Sequence, residues 1–245
     1  PFILRDYQRD CVDEVERRNV LAVLPTNSGK TVIAAERIRL TLEAEETKKV
    51  IFLAPYSALA RQQASLLLRH VGKLHLQQDD AAAAERTDAR WRLGLVVGGI
   101  LEDADDMPTV PWKLAFEECQ ALVMTPAQLV KCLTHARVAM ADVALLVLDE
   151  IHRLRGDDLY ATIMSYWYAR TSAHARPRVL GLSASPVDES EKNEPTEEGV
   201  EEKLSLLERR IDALAWSRRP KFGQLEKEIV LYEVTPDVVA VSLVA

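Results

Sequence analysis

The stretch that most narrows what this chain can fold into is the apolar run Val-Leu-Ala-Val-Leu at 20–24, which leads straight into Pro25-Thr26-Asn27-Ser28-Gly29-Lys30-Thr31. Beyond the loop, Ala35, Ile38 and Leu42 recur at helical spacing and give one apolar face. A short buried strand, a tight loop ending Gly-Lys-Thr and a helix form the layout that holds nucleotide phosphates. Backbone N–H groups of the loop and the helix N-terminus surround the anion, a lysine adds a full positive charge, and a hydroxyl can ligate Mg²⁺. Gly29 lets the phosphate approach the backbone where a side chain would hold it off. The strict form of such a loop has glycine at position 24, where this chain has Leu24. The assignment therefore leans on the flanking strand and helix as much as on the loop.

The 245 residues, 48% of them hydrophobic, suffice for one large α/β domain or one and a half smaller ones. No run approaches the roughly 18 apolar residues that span a bilayer, so no membrane partner is expected. Three scattered cysteines, Cys11, Cys119 and Cys132, form no Cys-x-x-Cys pair, and the five histidines are also dispersed. That argues for a reducing compartment and against a metal site built from protein ligands alone. With no leader sequence, a cytoplasmic or nuclear location is expected. Pro1 in place of an initiator Met, and an apolar run at the C-terminus, lead to the expectation of a fragment or processed chain. The net charge of −7 lowers the expectation of a basic nucleic-acid surface, though not of a local groove lined by backbone amides.

Further apolar runs at 50–54, 93–97, 121–124, 143–148 and 178–182 are continuous rather than alternating, with helical patterns between most of them. Parallel strands covered on both faces read this way. Helices are expected over 2–18, after Pro55 through Leu59, Gln62, Gln63, Leu66 and Leu67 to about His70, and after Thr125, where Pro126 suits a first turn. Small or polar residues follow nearly every strand at its carboxyl end, the edge where open α/β sheets bind ligands. Residues 188–202 are acidic and almost free of apolar side chains, which predicts a solvated linker. A helix is expected from Glu201, with Leu204, Leu207, Ile211 and Leu214 on one face, then extended segments at 228–234 and 238–241.

Asp149-Glu150-Ile151-His152 follows the most apolar run. An acidic pair there can serve the phosphate loop, Asp149 holding Mg²⁺ and Glu150 activating the attacking water; alone, Asp149 could equally cap the next helix. Ser183-Ala184-Ser185 brings two hydroxyls to the next strand end, able to hydrogen-bond the acidic pair. Thr125-Pro126 offers a hydroxyl and free amides at a helix start, suited to a phosphate backbone or to a plain N-cap. Gly98-Gly99 permits close backbone approach or a simple turn.

Taken in order, Gln8, Gly29-Lys30-Thr31, Pro55 with Gln62 and Gln63, Gly98-Gly99, Thr125-Pro126, Asp149-Glu150-Ile151-His152 and Ser183-Ala184-Ser185 resemble the motif series of superfamily 2 helicases. The stretches ALVMTPAQLV at 121–130, DVALLVLDE at 142–150 and RVLGLSASP at 178–186 are similar to the Dicer branch, related to the viral-RNA sensor helicases. The resemblance covers nearly the whole chain and is least distinctive at 73–92. It implies an α/β fold of the RecA-like P-loop NTPase kind over 1–187, with a mostly parallel sheet and helices on both faces. A linker at 188–202 and the incomplete start of a second helicase lobe or its insertion at 203–245 would follow. It also implies ATP and Mg²⁺ as cofactors, double-stranded RNA as partner, and a parent chain with a second helicase lobe and RNase III regions acting in RNA silencing.

Matched residue by residue, Gln8 would read adenine, while Thr26, Asn27, Ser28, Gly29, Lys30 and Thr31 would hold the nucleotide. Thr31 and Asp149 would hold the magnesium, and Lys30, Asp149 and Glu150 would carry catalysis. His152, Ser183 and Ser185 would couple hydrolysis to RNA, with Pro55, Gln63, Gly98, Thr125 and Pro126 along the RNA track. Two positions depart from the family pattern. Asn27 stands where glycine is usual, and asparagine is the other residue that best tolerates positive φ. Ile151 replaces the cysteine common in Dicer proteins and leaves both carboxylates in place. Two other classes stay open on the sequence: a non-catalytic RNA-binding scaffold whose ATP site has decayed, and a DNA-directed motor of the same superfamily. As an isolated lobe the chain is expected to be a poor catalyst, because the transition-state arginine usually comes from a second domain.

Overall fold

An apolar strand with no polar face has to be covered on both sides, and that requirement organises the chain. The computed structural model describes residues 3–71, 74–76, 90–97, 112–153, 158–184 and 197–215. The strands are β1 (Val20–Val23), β2 (Lys49–Leu53), β3 (Leu74–Leu76), β4 (Trp91–Val96), β5 (Ala121–Met124), β6 (Val143–Leu148), β7 (Arg178–Ser183) and β8 (Leu214–Ala215). The helices are α1 (Asp6–Arg17), α2 (Lys30–Ala44), α3 (Ser57–His70), α4 (Trp112–Glu118), α5 (Pro126–Thr134), α6 (Leu159–Thr162) and α7 (Glu197–Ile211), with α6 continuing as a π-helical segment, Ile163–Tyr168. All eight strands join one sheet in the order β3-β4-β5-β2-β6-β7-β1-β8, and every pair is parallel.

Alternate residues of the six inner strands enter two separate cores. Val20, Ala22, Phe52 and Val147 pack with Tyr7, Ile33, Ile38 and Leu67 of α1, α2 and α3. Leu21, Ile51, Leu146 and Val179 pack on the other face with Leu129, Ile163, Leu207 and Ile211. This two-sided burial is the physical reason that the runs are continuous. Each of the six expected strands is present. Among the described residues two more are added at the sheet edges, β3 and β8, of three and two residues, too short to leave a periodic signal. Among the described residues no helix is long and apolar enough to cross a membrane.

The C-terminal part differs from the sequence expectation. Helix α7 begins at Glu197, so residues 197–202 of the expected linker are helical. Leu204, Leu207 and Ile211 are buried in the second core, and Gly181 of β7 is so close that a Cβ there would lie 2.8 Å from Ile211 Cδ1. Asp212 takes the left-handed conformation, φ 52, and the Ala213 N–H donates to Glu208 O at 3.0 Å, closing the helix. Leu214, expected on the helix, instead pairs with Val20 in β8. Leu204, Leu207, Ile211 and Ala213 thus join the second core, and β8 extends the sheet beside β1. The expected segments at 228–234 and 238–241, and linker residues 188–196, lie outside the described residues.

Asn19 binds this part in place: its Oδ1 accepts from the Val179 N–H at 2.9 Å, and its Nδ2 donates to the Tyr168 hydroxyl and to Asp212 O, both at 2.8 Å. If α7 is integral to the core, Ile211→Ala should cost about 3 kcal/mol, roughly 6–12 °C in Tm for a chain of this size. A loss below about 0.5 kcal/mol in thermal or denaturant melts would mean that α7 only rests on the surface.

Candidate nucleotide-binding site

The sheet order places β7 between β1 and β6, so their carboxyl tips stand side by side, with β1 and β6 about 10 Å apart. Past the tip of β1, the Leu24 N–H donates to Ser183 O at 3.0 Å, which holds the loop base against β7. The loop turns through two left-handed residues, Asn27 at φ 65 and Gly29 at φ 81, and Gly29 caps α2. A Cβ on Gly29 would displace the Gln8 amide from the loop and would strain the positive φ. Asn27 is exposed and adopts the positive φ that its side chain tolerates.

Lys30 Nζ donates to Leu24 O at 2.8 Å and Pro25 O at 2.9 Å, leaving one of its three donors. The Ser28 carbonyl accepts from the Tyr7 hydroxyl at 2.6 Å and from Gln8 Nε2 at 3.0 Å, while Gln8 Oε1 accepts from the Arg5 N–H. Gln8 thus sits buried directly against the loop. The Ser28 side chain is fully buried, and its hydroxyl has no hydrogen-bond partner among the described residues. Thr26 is exposed at the loop tip.

At the tip of β6, the Asp149 N–H donates to Leu53 O at 2.9 Å, and the Tyr160 hydroxyl donates to Asp149 O at 3.0 Å. The Asp149 carboxylate is buried; its Oδ1 accepts from the Glu150 N–H at 3.0 Å and its Oδ2 from Gln63 Nε2 at 2.9 Å. The other end of the Gln63 amide, Oε1, accepts from the Thr31 hydroxyl at 3.2 Å. One glutamine therefore spans the two expected metal-binding side chains. Burial and the adjacent Glu150 carboxylate push Asp149 up to about 6, against the Glu150 N–H, Lys30 and Gln63, which favour its ionised form. Burial also lowers Lys30, opposed by the negative charges of Glu150 and Asp149, which favour the ammonium form.

Glu150 has a left-handed backbone, φ 53, a conformation that costs a non-glycine residue about 1–2 kcal/mol. Its Oε2 lies 3.3 Å from His152 Nδ1, which is 3.1 Å from the Ser183 hydroxyl. The arrangement fits a divalent cation with a polyphosphate. The N-terminus of α2 lies behind an αL cap, the buried Ser28 hydroxyl lacks a partner among the described residues, and Gln63 joins the Thr31 hydroxyl to the Asp149 carboxylate. Among the described residues no group of three or more His, Cys, Asp or Glu side chains could hold a metal. A cation here would take its other ligands from phosphate and water, as Mg²⁺ commonly does.

Pro55, Thr125 and Pro126 converge, with Tyr56 and Leu159, on a cavity of about 260 Å³. Thr125 is the N-cap of α5 and makes no capping bond with its hydroxyl. Gln63 is not with them: expected along the RNA track, it is 7% exposed and points to the Thr31–Asp149 pair, because it shares the buried face of α3 with Ala60, Ala64 and Leu67. Gly98 and Ser185 lie outside the described residues. Sequence reasoning missed Tyr7 and Tyr160. Tyr7 had a weak signal, as an aromatic beside Gln8; Tyr160 had none.

A profile described as DEAD/DEAH box helicase matches residues 5–193. The chain is 32% identical over 192 residues to Dicer-like protein 1 of Neurospora crassa, an alignment covering 75% of this chain and 11% of that protein. It is 28% identical over 229 residues to Endoribonuclease Dicer homolog 1 of Arabidopsis thaliana, covering 92% of this chain and 11% of that one. The helicase domain of Pyrococcus furiosus Hef superposes with a TM-score of 0.58 at 25% identity, over 89% of this chain and 39% of that chain. The chain thus spans about a tenth of the length of these two curated relatives.

The raised Asp149 gives a pH signature. An unfolded aspartate titrates near 3.9, so between about pH 4 and 6 the folded chain keeps a proton that the unfolded chain releases, and stability falls as pH rises through that window. Above it the ionised, buried carboxylate costs on the order of 3 kcal/mol, at about 1.4 kcal/mol per pKa unit. In chelator and without nucleotide, Asp149→Asn should raise Tm by roughly 6–12 °C at pH 8 and by about a third as much at pH 4.5. An equal shift at both pH values in thermal melts would contradict this electrostatic account.

Proposed function

This chain belongs to the DEAD/DEAH box helicase family, and from that premise we propose that it is the ATP-binding lobe of a Dicer-like, RNA-stimulated ATPase. The observation that carries the reading is the Thr31–Gln63–Asp149 line, which joins the lysine loop at the tip of β1 to the carboxylates at the tip of β6. The N–H groups at the start of α2 and the free donor of Lys30 would bind the phosphates, and Gln8, packed on the loop, would face the base. Thr31 and Asp149 would hold Mg²⁺, which when bound offsets charge on the β- and γ-phosphate oxygens. Glu150 would accept the proton of the attacking water. Its contact with His152, and that of His152 with Ser183, give a route by which a change of charge at Glu150 reaches β7.

RNA is the proposed partner, its backbone running past Pro55, Thr125 and Pro126. The parent would add a second helicase lobe, supplying the transition-state arginine, and an endoribonuclease region acting on double-stranded RNA in RNA silencing. The name of the Arabidopsis relative supports the endoribonuclease part. Against the scaffold alternative, Asn27 adopts the positive φ that the loop requires, so the residue that raised the idea of a decayed site no longer argues for it.

Lys30→Ala should abolish saturable binding of ATP with Mg²⁺ by this chain. Glu150→Gln should retain that binding and stop turnover in the complete parent, both measured by labelled-nucleotide titration and phosphate release. Equal ATP affinity of wild type and Lys30→Ala would overturn the assignment. Competition between double-stranded RNA and DNA across salt concentrations separates the RNA reading from a DNA-directed motor.

A further inference from the structure

A hydroxyl that ligates a cation does so through an oxygen lone pair, so its proton must be accepted by something else. Gln63 Oε1 accepts the proton of Thr31 at 3.2 Å, which turns the lone pairs of Thr31 outward. At its other end Gln63 Nε2 donates to Asp149 Oδ2, while the Glu150 N–H holds Oδ1, so neither carboxylate oxygen is free to rotate. The ionised carboxylate also fixes which way round the amide lies, since only the NH₂ end can meet it favourably. We propose that Gln63 is a positioning residue for the metal-bound nucleotide, presetting Thr31 and Asp149 at a spacing and orientation suited to one Mg²⁺. This deepens the proposed function and rests on it.

The side-chain chemistry supports glutamine for this place. A buried amide is costly unless satisfied, and here both ends are paired between two metal-facing groups, not with the backbone nearby. Glutamate would set a like charge against Asp149, and asparagine, one methylene shorter, could reach only one partner. Gln63 also lies six residues beyond Ser57, about 9 Å along α3, and Ser57 lines the 260 Å³ cavity with Pro55 and Thr125. A shift of α3 at that cavity would be felt at both metal-facing side chains.

The test is binding, not turnover. Titrate Mg²⁺ against a fluorescent ATP analogue with wild type, Gln63→Met and Gln63→Asn, and repeat nucleotide binding in EDTA, with thermal melts to verify folding. Loss of a partner that orients metal ligands typically weakens metal affinity 10–100-fold. Gln63→Met should therefore raise the Mg²⁺ midpoint about tenfold or more and Gln63→Asn by less, with EDTA affinities within about twofold of wild type. An unchanged Mg²⁺ midpoint in either folded variant overturns the role of Gln63, as does an equal loss with and without Mg²⁺. If wild type itself shows no Mg²⁺-dependent binding, the proposed function falls too, which separates the two failures.

Discussion

Parallel pairing fixes where this chain can do chemistry. In a parallel sheet every strand ends on the same edge, and hydrogen-bond register decides which residues meet there. Val23 lies beside Ser183, and Leu148 beside both Gly181 and Leu53. The residues just past these pairs, Leu24 and Asp149, continue the ladder with N–H bonds to Ser183 O and Leu53 O. The phosphate-type loop and the carboxylate pair are therefore extensions of the sheet, and their separation is set by the strand spacing and by β7 between them. The two apolar cores hold that register, because a slip of one residue would turn each strand's side chains to the wrong core.

Local costs gather at this edge. Asp149 is an acid driven up to about 6 by burial, Glu150 has a left-handed backbone, Asn27 another, and the buried Ser28 hydroxyl has no partner among the described residues. Each is unfavourable for folding taken alone, and each has a use if an anion and a cation bind here. A buried carboxylate regains favourable charge pairing beside a metal, and a turned Glu150 is aimed past the strand end. The stabilising contribution comes from elsewhere, from the continuous apolar strands and from fasteners such as Asn19, which joins β7, the π-helical segment and the end of α7.

Much of this was readable from the residues. Continuous apolar runs identified the six inner strands, and the Gly29-Lys30-Thr31 loop and Asp149-Glu150 pair stood at their ends as expected. What was not readable depended on phase or on tertiary contact. Gln62 and Gln63 are adjacent, and only the packing of Ala60, Ala64 and Leu67 decides that Gln63 turns inward; alanines give too weak an apolar signal to reveal it. The acidic residues 197–202 that open α7 looked like solvated coil because charge was the only visible property, while the docking of α7 depends on Leu204, Leu207 and Ile211 reaching a core built far upstream. Tyr160 closes onto Asp149 O across a distance in sequence that no local pattern encodes.

The most direct measurement is a crystal structure of this chain with Mn²⁺ and a non-hydrolysable ATP analogue, the metal located by its anomalous signal. The account requires a single manganese peak bonded to the Thr31 hydroxyl, facing Asp149, with the phosphates lying against the Gly29–Thr31 backbone and Lys30. A nucleotide seated away from that loop, or a metal with neither Thr31 nor Asp149 in its surroundings, would contradict it.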